Sequence, residues 1–292
     1  MAEGREGSQH QGGVNGTGGD NAASAARRRP AGLLRAFALA VLLAPAPGMT
    51  GERKLGGYVE WVPTPPAMVE KMLDAARVGP KDHLVDLGAG DGRFMFAAAR
   101  RGASATGIEI DPGMVAFGNE RAAKEGLAGR VRFIEQDLFT YDLGEATVVS
   151  MYLLSEMNLK LRPALLALRP GTRVLAFQFG MGDWTPEKTL VEGDVRAYFW
   201  TVPARVAGDW SVASEGGTVR GLRLEQSYQR VGGAIRLREG ELGIDGLLAG
   251  EELRFVVTGR ADWTFRGRVL GDRIEGELAR GSSAPDKLVL RR

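Results

Sequence analysis

Residues 84–94 read LVDLGAGDGRF, and this stretch limits the fold more than any other. Gly88, Gly90 and Gly92 follow a short apolar run, HLVDL, and precede a helical pattern, RFMFAAAR. A glycine turn between a strand and a helix lets the backbone pass close to a ligand. Two common phosphate-binding turns are excluded. A dinucleotide fingerprint needs a small third residue where Arg93 stands, and no Gly-Lys-Ser/Thr follows to make a P-loop. The turn instead starts at an acid, Asp86, and contains another, Asp91. Carboxylates in such a loop disfavour a pyrophosphate and suit a cationic ligand.

The turn sits in a chain that alternates helix and strand from residue 66 onward. PAMVEKMLDAARV places Met68, Met72, Leu73 and Ala76 at helical spacing. The strands ATGIEI, RVRFIEQD, ATVVSMYLL and RVLAFQF are separated by GMVAFGNERAAKEG and by NLKLRPALLALRPG, a helix broken by its proline. Crossovers of this length predict an α/β fold with a parallel sheet. After Pro203 the period changes. Leu222, Leu224, Gln226 and Tyr228 alternate, as do Leu253, Phe255 and Val257, with turn signals at LAGE and LGDR. Residues 204–292 therefore read as an antiparallel β meander or small barrel of six or seven strands. Trp210 and Trp263 belong to its core or mouth.

The first 50 residues differ again. Residues 1–26 lack large apolar side chains and are expected to be disordered. Arg27, Arg28 and Arg29 then precede LLRAFALAVLLA and PAPG, the layout of a signal peptide. The apolar run is shorter than the roughly 20 residues that span a bilayer. Export signal, interfacial membrane anchor, and sequence upstream of a start at Met49 are the three readings. The first two imply an exported or membrane-associated protein, the third a cytoplasmic one. The expected division is a leader at 1–50, a ligand-binding α/β domain at 51–203, and a β-rich domain at 204–292.

Composition narrows the chemistry. The chain has no cysteine and only two histidines, His10 and His83. Thiolate metal sites, disulfides, a cysteine nucleophile and a histidine-rich metal centre are thereby excluded. A Ser-His-Asp triad would have to use His83, which reads as a surface residue at a strand start. The net charge of +2, without a dense basic stripe, gives no footprint for nucleic acid.

VDLGAGDGR resembles motif I of class I S-adenosylmethionine (SAM)-dependent methyltransferases. SAM carries an ammonium and a sulfonium and no phosphate, which suits the acidic turn. The resemblance implies a Rossmann-like seven-stranded sheet, with SAM held by Asp86, Gly88, Gly90, Asp91 and Gly92. Further motifs agree in order. GIEID ends a strand at Glu109, placed for the ribose, with Ile110 beside it. EQDLF puts Asp137 toward the adenine amino group, with Leu138 or Phe139 against the ring. SMYLLSEMN follows the fourth strand, where this family's acceptor approaches.

WVPTPPAMVEKML, ATVVSMYLL, LRPGTRVLAFQF and GDWTP together resemble bacterial relatives of the mitochondrial protein-lysine methyltransferases that act on the c-ring protein of ATP synthase and on an adenine nucleotide translocase. The similarity covers about residues 58–203. Trp61 and Phe177 depart from it, standing where the relatives have Tyr and often His. The resemblance implies transfer of a methyl group to an amine, with Tyr152, Glu156 and Asn158 on the acceptor side and Pro63 and Thr64 in a segment over SAM. VPTP alternatively reads as a rigid entry to a helix, and Glu156 as a helix start. Trp61 and Tyr152 would desolvate the amine and favour its neutral form. The expected acceptor is a protein lysine. Alternatives are a small-molecule methyltransferase, a nucleotide-binding oxidoreductase, and a non-catalytic envelope-associated binding protein on a methyltransferase fold.

Overall fold

A computed structural model describes residues 62–212 and 217–292. The apolar run at 33–44, Trp61, and the expectations of signal or membrane anchor lie outside them. Among the described residues, no helix is long and apolar enough to cross a membrane.

The first half alternates as the periodicity predicts. It runs α1 (Pro66–Ala75), β1 (His83–Leu87), α2 (Arg93–Arg100), β2 (Ser104–Glu109), α3 (Pro112–Lys124), β3 (Val131–Glu135), β4 (Val148–Met151), α4 (Ser155–Leu165), β5 (Arg173–Phe177), β6 (Lys188–Glu192) and β7 (Val195–Thr201). The sheet order is β3-β2-β1-β4-β5-β7-β6. Neighbours from β3 to β5 are parallel, whereas β7 runs antiparallel to both β5 and β6. Strand order reverses between β1 and β4, so the switch point at which open α/β sheets bind ligands lies at their carboxyl ends.

Local chemistry accounts for the helix starts. Pro66 occupies the first turn of α1, where its missing N–H costs nothing. Asp111 caps α3 by accepting from the Gly113 and Met114 amides. Met68, Val69, Met72 and Leu73 form the buried stripe of α1. Instead of breaking at its proline, α4 carries Pro163 in its last turn and ends two residues later.

The remaining strands are β8 (Gly208–Val212), β9 (Val219–Ser227), β10 (Arg230–Leu237), β11 (Gly240–Ala249), β12 (Glu252–Val257), β13 (Arg260–Leu270), β14 (Arg273–Arg280) and β15 (Asp286–Arg291). They pair in sequence order, and β15 returns to β8, closing an antiparallel barrel. Eight strands replace the six or seven expected. Gly232 and Gly233 in β10, and Gly243 and Gly246 in β11, interrupt the apolar alternation by which strands are counted from sequence. Trp210, Leu222, Ile235, Phe255 and Phe265 fill the interior, with the two phenylalanine rings stacked at 4.8 Å. Arg223, Glu225, Arg254, Arg266 and Glu277 face outward. That polarity is the inverse of a lipid-facing barrel, whose outer band is apolar.

Sheet and barrel share one compact unit, Val59–Arg292. The connection between them is held rather than loose. Gln226 accepts from the Val206 amide and donates to the Ala204 carbonyl, both at 2.8 Å. Gly250 backs onto Gly171, where a Cβ would stand 2.9 Å from the Gly171 Cα.

Trp210 is fully buried, and its indole donates to the Val206 carbonyl at 2.8 Å. Trp210→Ala is expected to cost about 3–5 kcal/mol, through the cavity and the orphaned carbonyl. Urea unfolding should show that drop. A change below about 1 kcal/mol would mean that the barrel core closes over the gap.

Candidate active site

The glycine turn leaves β1 at its carboxyl end. Gly88, Gly90 and Gly92 have φ of +76°, +52° and +76°, the left-handed region that glycine enters without strain. Crowding adds to the demand. A Cβ on Gly92 would meet the Phe133 ring at 2.3 Å, and one on Gly88 would stand 3.1 Å from Leu153. The Phe133 ring therefore already blocks a side chain at Gly92, whereas at Gly88 the Leu153 side chain would have to give and the positive φ is the stronger demand.

Asp86, the last polar residue of β1, is 4% exposed. Ser150, its register partner on β4, donates to its carboxylate at 2.7 Å. Burial, with the charges of Asp91 and Glu109 nearby, pushes its pKa up to about 8, against the opposing pull of Ser150 and Arg93. The structure thus holds a buried acid at the switch point that would welcome a cation.

Glu109 ends β2 and is committed to the backbone. One oxygen accepts from the Gly90 amide at 2.9 Å, the other from Ile110 and Asp111 at 2.8 and 3.1 Å. A carboxylate offers about four acceptor positions. Three of them are used, so holding two ribose hydroxyls requires one of these amides to yield. Ile110 is 51% exposed beside it, a bare apolar surface at the strand end.

Asp137 closes the turn after β3, where one of its oxygens accepts from the Phe139 amide at 2.9 Å. Leu138 and Phe139 pack against the sheet's core, and the Lys160 ammonium lies 3.8 Å from the Phe139 ring centre. Thr64 is buried, and Pro63 precedes it on the surface. The Arg93 guanidinium donates to the Thr64 carbonyl and pairs with Asp91 at 2.5 Å. Residues 62–65 are thereby both the entry to α1 and a strap fastened to the glycine turn. The sequence gives no sign of that fastening, because Arg93 reads there only as a break in a dinucleotide pattern.

Beyond β4 and β5 lies an aromatic group. The Tyr152 ring meets Phe177 edge-on at 4.7 Å and stacks on Phe179 at 6.3 Å. Asn158 is fully buried in α4. Its amide donates to the Phe179 carbonyl at 2.9 Å, and its Oδ1 has no partner. Asn158 thus fastens the loop after β5. Glu156 is exposed in the first turn of α4, where a negative charge favours the helix. His83 lies at the opposite edge of the sheet. It is half-buried rather than on the surface, with hydroxyl partners Ser104 and Thr106 at 2.9 and 3.3 Å.

Comparison with known proteins agrees with this geometry. The ANTKMT methyltransferase domain family matches residues 86–188. A protein-lysine N-methyltransferase of Saccharolobus islandicus is 38% identical over 136 residues, 46% of this chain and 84% of that protein. The Rattus norvegicus lysine N-methyltransferase named for the c-type subunit of ATP synthase is 38% identical over 126 residues, 43% of this chain. Of that longer relative the chain spans 56%, little more than half. A crystal structure of an RNA methyltransferase from Salinibacter ruber in complex with S-adenosyl-L-homocysteine is 46% identical, with 50% of this chain and 96% of that one covered and a TM-score of 0.49. The barrel lies beyond the family match. With the archaeal relative covered over most of its length, and the glycine turn, acidic strand end and sheet order all in place, this chain belongs to the SAM-dependent protein-lysine N-methyltransferase family.

Proposed function

We propose that this enzyme methylates a lysine side chain of a protein. The observation that carries this reading is the aromatic group at the carboxyl ends of β4 and β5, Tyr152 against Phe177 and Phe179, next to the buried acid Asp86. SAM, when bound, supplies a methyl group on a positively charged sulfur. The protein's own part is alignment and desolvation. Asp86 and the glycine turn take the methionine ammonium. Glu109 takes the ribose, with Ile110 and Leu138 against the adenine and Asp137 at its amino group. Pro63 and Thr64, fastened by Arg93, cover the turn.

The Tyr152 group suits the acceptor. A lysine ammonium in water holds its proton up to a pH of about 10.4 and must lose it to attack. Low-dielectric aromatic walls disfavour the charged form, and ring faces accommodate the alkyl stem. Asn158 serves this side by holding Phe179 in place, and Glu156 stands at the surface where a proton can leave through water. A protein acceptor also fits the names of the Saccharolobus islandicus and Rattus norvegicus relatives.

Incubation of the purified protein with methyl-labelled SAM and a cell extract, followed by acid hydrolysis, should yield labelled methyl-lysine. Label that is lost to ribonuclease, or found only in small molecules, would overturn the lysine reading. Tyr152→Ala should reduce the methyl-lysine yield at least tenfold, with SAM affinity changed less than threefold.

The cofactor side makes two quantitative demands. Glu109→Ala should weaken SAM by roughly 2–4 kcal/mol, on the order of 30- to 1,000-fold by calorimetry. An unchanged affinity would remove Glu109 from the site. The raised pKa of Asp86, about 8, sets a pH dependence. Only the carboxylate attracts an ammonium, and below that pKa a proton competes for it. SAM affinity should therefore rise as pH goes from 6 to 8, with proton uptake by the buffer. In Asp86→Asn that slope should vanish. A slope identical to wild type would place the titration elsewhere.

A further inference from the structure

The β9–β10 hairpin tip departs from the rest of the barrel in three ways. Tyr228 has φ of +53°, a conformation that costs a bulky side chain energy and persists only when surroundings enforce it. Its ring packs against the sheet's core cluster, not the barrel's. Its hydroxyl reaches Asp183, in the loop 178–187 that joins β5 to β6, at 3.0 Å.

That loop is held by the hairpin and by α4. The Tyr228 ring stacks on Trp184 at 6.1 Å with an 18° interplanar angle, and Trp184 is 1% exposed. Gln229 accepts from the Trp184 indole at 3.1 Å and donates to the Thr185 carbonyl at 2.6 Å. Arg162 of α4 donates to the Met181 carbonyl at 2.8 Å and pairs with Asp183. Asp183 is largely exposed, so its ion pair and hydrogen bond are screened and weak. Trp200 of β7 holds the same residue from the sheet, its indole donating to the Trp184 carbonyl at 2.8 Å. The barrel's share of the grip is the stack on buried Trp184 and the two Gln229 bonds. At the other end of the loop, Gln178 also has a positive φ, +63°. Phe179 follows it, pinned by Asn158 and stacked on Tyr152.

We propose that the hairpin tip of the barrel, through Tyr228 and Gln229, is a positioning element for the acceptor side of the site: it fixes loop 178–187, and through Phe179 the ring of Tyr152. Neither residue touches the glycine turn, so the cofactor side is indifferent to it. The link to methyl transfer rests on the acceptor lying at Tyr152, as proposed above. The link to the loop does not.

The test uses the full chain and three variants, Tyr228→Leu, Gln229→Ala and Tyr228→Phe. Amide hydrogen exchange of peptides covering residues 179–186 reads the loop, where the Trp184 amide is bonded to the Met181 carbonyl. Tyr228→Leu and Gln229→Ala should speed that exchange at least tenfold while leaving SAM affinity within twofold. Methyl-lysine formation on a cell extract should fall tenfold or more, with the KM for SAM unchanged. Tyr228→Phe keeps the ring and should restore most of both. Loop exchange equal to wild type in Tyr228→Leu and Gln229→Ala overturns the proposal, as does SAM affinity that falls in step with methylation. If wild type forms no methyl-lysine, the lysine reading falls, and the exchange result alone decides the positioning role. Gln229→Ala removes two side-chain hydrogen bonds and no packed ring, so the exchange comparison stands even where Tyr228→Leu fails to fold.

Discussion

A carboxyl group that the fold buries before any cation is present governs the carboxyl edge of the sheet. β1 carries Asp86 to the switch point, and β4 supplies one hydroxyl, Ser150, to receive it. Two further acids stand close, Asp91 in the turn and Glu109 at the end of β2, and both add to the pressure on Asp86. A local excess of negative charge in a low-dielectric place is costly unless a positive group arrives. Arg93 relieves part of it, but its guanidinium is spent on Asp91 and the Thr64 carbonyl. A ligand with a fixed positive charge completes what the folded chain leaves unbalanced. Stability and binding are thus set against each other at this edge, as is usual where a site is prepared for its ligand.

Backbone geometry enforces that arrangement. Gly92 and Gly118 leave the room that Phe133 fills, since a Cβ on either would stand within 2.4 Å of its ring. Gly107 of β2 similarly faces Ala89, at 2.6 Å from a Cβ, and Met95. The turn is wedged between β2, β3 and α3, so its amides cannot drift. Glu109 then ties the turn to the neighbouring strand through the Gly90 amide. With the ribose role proposed for it, Glu109 would be both ligand and splint, and a substitution there would act on both.

The two sides of the site were not equally legible in the sequence. The cofactor side is local. On the proposed reading seven residues, 86–92, carry most of it, and the next strand end adds Glu109. Short-range patterns of glycine and acid survive in sequence because strand, turn and helix must follow one another directly. The parallel sheet was readable for the same reason. The acceptor side, as proposed, draws on Tyr152, Asn158, Phe179, Trp184, Tyr228 and Gln229, residues up to 77 positions apart in the chain. No periodicity links Tyr228 to Trp184. In the sequence Tyr228 continues the alternation of β9, and only its positive φ and its neighbours reveal that it has left the barrel's core. Arg93 was readable as a departure from a dinucleotide motif but not as the fastening of Thr64. The eighth strand was lost because glycines in β10 and β11 erase the alternation.

A closed barrel is a suitable carrier for such a contact. Closure removes free strand edges, and a packed interior leaves little room for slow deformation. A hairpin projecting from it presents its tip at a fixed place, and the bonds of Gln226 to Ala204 and Val206 fix the barrel's approach to the sheet. Tyr228, with its positive φ, sits at that tip, where its ring and hydroxyl meet Trp184 and Asp183. The loop it grips spans the gap from β5 to β6, a stretch with no helix of its own to order it. On the proposed reading the cofactor and acceptor sides have separate supports, one in the glycine turn and one in the barrel. Changes in the hairpin then act on the acceptor side through Trp184 and the loop after β5, while the Asp86 edge keeps its own ties to Ser150 and the glycine turn.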